Sequence, residues 1–239
     1  MGSAVDKRVV VVGAGIVGAS LAYHLASKGA SVVLVEAQDI ASGVTGRSFA
    51  WLNASHSGFD PIAQLRGAAI QEYRRLEKAL PGLKVRWTGS LSYGASPGAV
   101  LPASGNPPSA TRVSRSRILD LEPNLRNPPR HALYKAEEGA LDAVEATHAL
   151  LAGAQAHGAK VLTQTRVLGF TTRHAKVTGV ETATGIIDAD IVGRSSVTII
   201  LWFDAIQDRI DSHRAVQGIV DVIFQGWYIA QPNRLGQMM

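Results

Sequence analysis

A short glycine turn near the start of the chain has the spacing of a phosphate-binding loop. Gly13, Gly15 and Gly18 form a G-x-G-x-x-G pattern. In such a turn the first glycine allows a tight bend, the second lets a pyrophosphate approach the backbone, and the third lets a helix lie close to a strand. A carboxylate about 20 residues later, here Glu36, accepts hydrogen bonds from ribose hydroxyls and disfavours a 2′-phosphate. The four residues therefore predict a dinucleotide site that is least suited to NADP.

The elements around this turn are the ones that such a site needs. Residues 8–12 form a short, β-branched and mostly apolar run, typical of a strand buried on both faces of a parallel sheet. A helix is predicted from Ile16 until Gly29 ends it, and a second strand over residues 31–35 leads to Glu36. The buried face of this helix is predicted to comprise Ile16, Ala19, Leu21, Ala22 and Leu25.

A loop of small residues, 41–48, follows the second strand and contains one arginine and several hydroxyls. Such a loop can fold over a pyrophosphate, and Arg47 and Ser48 are its predicted ligands. Ser42 and Thr45 are further candidates, or they serve as turn formers, because Ser and Thr side chains satisfy nearby backbone groups. The glycine pattern alone does not separate FAD from NAD.

With this loop added to the glycine turn, the sequence resembles the FAD-dependent D-amino acid oxidase, glycine oxidase and sarcosine oxidase family. The resemblance covers about residues 7–192, and its motifs follow one another in the family's order. The first of these motifs, residues 87–91, resembles an early strand of the family's substrate domain. The others are residues 121–125, 138–142, 158–161, 165–167, 177–182 and 185–192. The resemblance implies that residues 165–167 form a strand whose backbone meets the adenine, and that residues 177–192 form a hairpin returning to the main sheet.

The fold implied is α/β, with a Rossmann-type FAD-binding domain built from residues 1–80 and 130–192. An incomplete, mainly β substrate domain over residues 81–129 is inserted between the two segments. A packing helix is predicted over residues 61–80, with Ala69, Tyr73 and Leu76 on its apolar face and Arg66 on the remaining surface. The implied cofactor is FAD. The predicted cofactor-binding residues are Gly13, Gly15, Ile16, Val17, Gly18, Glu36, Ala37, Arg47, Ser48 and Val167.

The activity implied by the resemblance is oxidation of a small amine or a D-amino acid or glycine-type substrate, in which a C–N bond loses a hydride to the flavin. No catalytic residue is assigned. Trp51 and His56 are near enough in sequence to approach a flavin, although a structural role suits each equally. The arginines at 112, 115 and 117 resemble an anion-binding patch, but their spacing favours a solvated face. The alternatives are a truncated, inactive dinucleotide-binding remnant and an NAD-binding protein.

The resemblance stops after Val192, where the sequence continues as Gly-Arg-Ser-Ser. Residues 193–239 are rich in isoleucine and contain no lysine, unlike the sequence before them. We hypothesise that this tail arises from a frameshift or a truncation. The alternative is a genuine divergent tail, with a strand over residues 197–203 and a helix over residues 206–222.

Composition narrows the possible partners, metal sites and cellular locations of the protein. The 239 residues carry a formal charge of +5, but the basic residues are scattered and do not predict a nucleic-acid partner. The absence of cysteine excludes disulfides, thiolate metal sites and a cysteine-linked flavin, and it fits a cytoplasmic location. No apolar stretch is long enough to span a bilayer. Residues 96–109 are rich in proline and glycine and predict an exposed loop, and the sequence does not indicate an oligomeric state.

Overall fold

The computed structural model of the chain describes residues 7–53, 63–93 and 110–195. Its largest sheet is parallel and has the strand order β13-β1-β2-β9. These strands are β1 (Arg8–Val12), β2 (Ser31–Val35), β9 (Lys160–Leu162) and β13 (Ile191–Arg194). Read from the other edge, the order is that of the first four strands of a dinucleotide-binding sheet, 3-2-1-4. The predicted Rossmann-type α/β fold is confirmed.

Strand β1 is buried on both faces, as its valine run predicts. Val9 and Val11 belong to the large hydrophobic core that contains the helices, whereas Val10 packs in a smaller cluster with Val35 and Val180 on the other face. Both neighbouring strands pair with β1 in parallel. The continuous apolar run is therefore explained by burial on both sides of the sheet.

Helices α1 (Ile16–Ala26) and α4 (Ala143–Ala156) pack against each other on the core side of the sheet. The predicted buried face of α1 was partly wrong. Ala19 and Ala22 are buried, but the bulky residues Ile16, Leu21 and Leu25 are only partly so, and Tyr23 and His24 are buried instead. The reason is that α1 contacts both the sheet and α4, and so buries more than one face.

Helix α2 (Ala63–Ala79) lies where the helical spacing predicts one, and it buries Ala69, Tyr73 and Leu76 as expected. Arg66 does not lie on the surface as the sequence suggests. It is buried, and its guanidinium donates a hydrogen bond to Asn53 Oδ1 at 2.9 Å. A buried polar side chain is stable when it is paired in this way.

Two small antiparallel sheets are built mainly from the middle of the chain. The first has the order β3-β8-β4 and the second β5-β7-β6. Their strands are β3 (Trp51–Leu52), β4 (Val85–Arg86), β5 (Ser90–Ser92), β6 (Thr111–Ser114), β7 (His131–Lys135) and β8 (Gly139–Leu141). Helix α3 (Arg115–Leu121) follows β6. The predicted domain boundary at residues 129/130 falls just before β7, whose partners β5 and β6 precede that boundary.

The strand predicted over residues 87–91 is interrupted. Gly89 has a φ of +76°, a conformation that bends the chain between β4 and β5. A Cβ atom at Gly89 would lie 2.4 Å from the Tyr134 ring. Glycine therefore both permits the bend and lets the tyrosine ring approach.

The predicted hairpin after helix α4 is present. Strands β10 (Val167–Arg173), β11 (Lys176–Thr182) and β12 (Gly185–Asp188) form an antiparallel sheet, after which the chain enters β13. Strand β13 continues past Val192, since Gly193 and Arg194 pair with Val11 and Val12. His56, residues 96–109, and the strand and helix predicted after residue 196 lie outside the described residues.

Candidate nucleotide-binding site

The glycine turn connects β1 to α1 and can be built only with glycine at two of its positions. Gly13 has a φ of +106°, which side-chain-bearing residues rarely adopt. A Cβ atom at Gly18 would lie 1.9 Å from the Gly13 carbonyl oxygen. The first glycine therefore makes the bend and the third allows the helix to touch the turn, as the sequence predicts.

The second glycine keeps the N-terminus of α1 free of a side chain. Gly15 caps the helix without a side-chain hydrogen bond, and no acidic residue lies in the first turn. Among the described residues, the only atom near a Cβ placed at Gly15 is Thr45 Oγ1, at 3.0 Å. The free N–H groups and the dipole of a helix N-terminus attract anions. This end of α1 is therefore an accessible place for a phosphate group.

Glu36 lies beside the glycine turn at the carboxyl end of β2. Its Oε2 accepts a hydrogen bond from the Ala14 N–H at 2.7 Å, and its Oε1 accepts one from the Gln38 N–H at 2.8 Å. The side chain is half-buried. A carboxylate has about four lone-pair positions. Glu36 therefore fixes the turn to the end of β2 and retains acceptor capacity for a hydroxyl group.

The segment that leads to Val167 is joined to Glu36 through the backbone. The Glu36 N–H donates to Leu162 O, and the Thr165 N–H donates to Glu36 O, each at 2.8 Å. Val167 begins β10 and is half-buried, and Ala37 lies next to Glu36 with similar exposure. The structure thus brings Gly13–Gly18, Glu36 and the start of β10 to the carboxyl edge of the parallel sheet, where open α/β sheets bind ligands.

The loop after β2 is fastened to the glycine turn. The Ala41 N–H donates to Ala14 O at 3.0 Å, and the Ile16 N–H donates to Thr45 Oγ1 at 3.0 Å. Thr45 begins a 3-10 helix that ends at Arg47. The sequence ranked Thr45 below Ser48, yet in the structure Thr45 is the hydroxyl that contacts the N-terminus of α1.

Arg47 and Ser48, which the sequence ranked above Thr45, differ from each other in their surroundings. Arg47 is exposed, and among the described residues its guanidinium has no ion-pair partner. Ser48 Oγ accepts a hydrogen bond from the Ala50 N–H at 2.9 Å. This is the local turn bond expected of a serine near a chain reversal. Arg47 is therefore free to reach a ligand, whereas Ser48 Oγ already accepts one local hydrogen bond.

Sequence analysis missed Ser195. Its N–H donates to Val12 O at 2.9 Å and its hydroxyl donates to Gly13 O at 3.3 Å. It also lies so close to the turn that a Cβ at Gly13 would meet Ser195 Oγ at 2.7 Å. No local signal marks this role, because the contact joins residues 182 positions apart.

The other candidates from the sequence belong to other elements or lie outside the described residues. Trp51 is in β3, and its Nε1 is buried without a hydrogen-bond partner among the described residues. The arginines at 112, 115 and 117 are exposed on β6 and α3, as a solvated face predicts. In the described part of the chain, no group of three or more acidic or histidine side chains is placed to hold a metal ion. Among the same residues, none of the helices has the length and apolar character required to cross a bilayer.

Residues 8–193 match the sequence model of one protein family, described as DAO, FAD dependent oxidoreductase. Among curated relatives, an anaerobic glycerol-3-phosphate dehydrogenase of Escherichia coli K12 is 29% identical over 180 residues, which are 72% of this chain and 33% of the relative. The mitochondrial pyruvate dehydrogenase phosphatase regulatory subunit of Mus musculus is 28% identical over 197 residues, 77% of this chain and 22% of the relative. The chain thus spans a third or less of these two relatives.

Solved structures share the fold. The L-proline dehydrogenase of P. horikoshii has a TM-score of 0.69 and 24% identity, over 80% of this chain and 53% of that one. The glycine oxidase of Bacillus cereus ATCC 14579 has a TM-score of 0.64 and 23% identity, over 78% of this chain and 55% of that one. At this level of identity the likeness concerns the fold alone.

Proposed function

Since the chain belongs to the DAO family of FAD dependent oxidoreductases, we propose that it binds FAD at the glycine turn and serves the oxidation of a small amine or amino acid at a C–N bond. FAD is the cofactor of this family, as the sequence resemblance implies. When bound, the flavin supplies the redox chemistry by accepting a hydride from the substrate, and the protein supplies binding and orientation. The substrate itself is part of the proposal.

The observation that carries the proposal is the backbone at Gly15, which has no side chain at the N-terminus of α1. This position faces the N-terminus of a helix, contains no side chain, and has only the Thr45 hydroxyl nearby among the described residues. A pyrophosphate requires such an approach to backbone N–H groups. The residues present therefore fit a dinucleotide.

The surrounding residues favour FAD over the other dinucleotides. Glu36 supplies a carboxylate for ribose hydroxyls and repels a 2′-phosphate. The loop over residues 41–48 is hydrogen-bonded onto the glycine turn at Ala14 and Ile16, and its exposed Arg47 ends the 3-10 helix that Thr45 begins. We assign cofactor binding to the residues predicted from the sequence, and we add Thr45 because of its contact with α1.

Each of these residues has a definite task in the proposed site. Thr45 holds the loop against α1, Glu36 orients the ribose, and Arg47 neutralises phosphate charge. The chain spans about half of the length of the solved relatives. A cytoplasmic location is part of the same proposal, and the absence of cysteine supports it.

The test is a visible absorption spectrum of the purified chain, taken before and after incubation with FAD and removal of the excess. We expect flavin bands to be retained, and we expect Gly15→Val to abolish them, because the side chain fills the phosphate approach. Gly15 has a φ of −76°, so valine does not strain the backbone. The Thr45 hydroxyl lies 3.0 Å from a Cβ at this position and must turn aside, so circular dichroism verifies that the variant keeps the wild-type secondary structure. Gly67→Val in α2 is the matched control, since it makes the same change outside the proposed cofactor loop and a Cβ at Gly67 meets none of the described residues within 4 Å.

Failure of the wild-type chain to bind FAD would overturn the proposal and favour the inactive remnant, while binding of NAD in its place would favour an NAD-binding protein. A chain that retains FAD is then assayed for dye reduction with glycine, D-alanine and L-proline, and with glycerol 3-phosphate as the contrasting substrate. Reduction by an amino acid supports the C–N oxidation. Reduction by glycerol 3-phosphate alone would overturn the substrate class and leave FAD binding intact.

A further inference from the structure

A cavity of about 420 Å³ lies between the loop after β2, strand β4 and the N-terminus of α4. Of the described residues assigned to dinucleotide binding, only Thr45 and Ser48 line this cavity. Its remaining wall carries four charged side chains, Lys84, Arg86, Asp142 and Glu145. Its volume is within the range of about 300–1,000 Å³ that small-molecule sites occupy.

The cavity lies where the pairing of two strands ends. Strands β4 and β8 pair at Arg86–Ala140 and at Val85–Leu141. Immediately beyond Leu141 the chain turns into helix α4, which Asp142 caps by accepting hydrogen bonds from the Val144 and Glu145 N–H groups. Gly82 and Lys84, before β4, and residues 142–145, at the start of α4, line the cavity from its two sides.

The charges of the two walls differ in sign. Lys84 and Arg86 alternate with the buried Leu83 and Val85, so both cations project away from the core. On the opposite wall, Glu145 lies in the first turn of α4 next to the capping Asp142. In the described part of the chain, neither Lys84 nor Arg86 forms an ion pair with Asp142 or Glu145.

Separated charges of this kind suit a ligand that carries both signs. An exposed ion pair gains only about 0–1 kcal/mol, so nothing forces the two walls to close on each other. A carboxylate forms charge-assisted, bidentate hydrogen bonds with an arginine, and an ammonium group donates to a carboxylate. We propose that this cavity binds a small zwitterion, an α-amino acid, with its carboxylate on Lys84 and Arg86 and its ammonium on Glu145.

This site goes beyond the proposed function and does not rest on FAD. The test is equilibrium dialysis of the full chain against radiolabelled glycine near pH 7 at constant ionic strength. We expect saturable binding that unlabelled glycine displaces. Acetate and methylammonium each carry only one of the two charges, so each should compete at least about tenfold less well than glycine.

Substitutions on the two walls separate the contributions of the cationic and the anionic wall to glycine binding. Arg86→Gln and Glu145→Gln should each weaken glycine binding about tenfold or more, and both side chains are exposed, so the fold should persist. Arg112→Gln and Glu181→Gln are matched controls on exposed residues of β6 and β11 and should change nothing. Circular dichroism verifies that each variant retains the wild-type secondary structure.

Three results would overturn the inference. They are the absence of saturable glycine binding, competition by acetate equal to that by glycine, and weaker glycine binding in only one of the variants Arg86→Gln and Glu145→Gln. The second result would indicate a simple anion site. A chain that retains flavin but fails the dialysis test contradicts only the zwitterion site. A chain that binds glycine through Arg86 and Glu145 but never retains FAD contradicts only the proposed function.

Discussion

The parallel sheet and the small antiparallel sheets of the middle region are stabilised in different ways. The core strands β1 and β2 are runs of apolar residues, and Val11, Val32 and Leu34 are almost completely buried. The strands β3 to β8 have only two to five residues each. Their second sheet packs a small cluster of three buried apolar residues, Val113, Ile118 and Ala132, and a buried carboxylate, Glu138, links two of its parts. The first region is therefore held mainly by apolar burial and close packing, and the second combines a smaller apolar cluster with a buried polar pair.

Glu138 is the clearest example in the middle region. It is fully buried, accepts a hydrogen bond from Ser90 Oγ at 2.6 Å, and lies 3.5 Å from Lys135 Nζ. The bond to Ser90 joins positions 48 residues apart and connects β5 to the turn before β8. A buried charge is tolerated only when it is paired and hydrogen-bonded. The middle region should therefore be sensitive to loss of a polar partner, and the parallel sheet to a change of volume.

The largest expected effect is a change of volume in the glycine turn. Gly18→Val places a Cβ within 1.9 Å of the Gly13 carbonyl oxygen, which belongs to the backbone and has little freedom to move. We expect destabilisation of at least about 4 kcal/mol, the exceptional range for a single substitution. Urea denaturation followed by circular dichroism measures it. Wild-type stability in Gly18→Val would contradict the close packing of helix and turn, and Gly43→Ala serves as the neutral control.

The second effect is a pH dependence of folding stability that originates at His24 in α1. Burial lowers the pKa of His24 to about 4 from 6.5, and this outweighs the opposing attraction of Glu72, which lies 3.7 Å away. Arg75 and Lys28 also lower it. His24 is therefore neutral at pH 7 and does not form an ion pair with Glu72.

Whether folding stability rises or falls with pH follows from proton uptake at His24. The unfolded chain binds a proton at His24 as the pH falls through about 6.5, whereas the folded chain binds it only near pH 4. Folding stability should fall by about 3 kcal/mol between these values. Urea denaturation at several pH values measures the loss, and His24→Asn, which does not titrate, should be less pH-dependent by that amount. Equal pH dependence in the two proteins would show that carboxylates alone cause it.

The same contrast explains what could be predicted from the sequence. The turn, its flanking strands and Glu36 follow one another within about 30 residues, and each has a local signature of residue type and spacing. The buried arginine at 66, the bend at Gly89 and the contact of Ser195 with Gly13 depend on distant partners. Nothing in the neighbouring sequence encodes those partners, so pattern reasoning placed Arg66 on the surface and missed Ser195.

A third experiment removes a charge from the middle region without changing its shape. Glu138→Gln keeps the hydrogen bond to Ser90 but replaces the carboxylate near the Lys135 ammonium with a neutral amide. We expect a loss of about 2 kcal/mol, because hydrogen bonds to charged groups contribute about 1.5–3 kcal/mol. Glu137→Gln is the matched control at the adjacent position, where Oε1 is buried without a partner among the described residues. An equal loss in both variants would mean that the pairing with Lys135 contributes nothing.

The smallest effect concerns the tryptophan that joins α2 to the middle region. Trp87 Nε1 donates to Glu77 Oε2 at 2.9 Å, while Arg74 lies 4.2 Å from the centroid of the indole ring. Although burial alone raises the pKa of Glu77, hydrogen bonds from Trp87 and from the Val85 N–H lower it overall. Trp87→Phe removes the indole donor and keeps an aromatic ring under Arg74.

We expect Trp87→Phe to cost about 1 kcal/mol, the usual net value of one hydrogen bond, with part of the loss from the smaller ring. Glu77 still accepts from Val85, so its carboxylate is not left unpaired. The double variant Trp87→Phe/Glu77→Gln isolates the bond, because the two losses should not add if the side chains interact directly. Strictly additive losses in urea denaturation would assign the stability to packing of the ring, and the middle region would then resemble the parallel sheet in what holds it together.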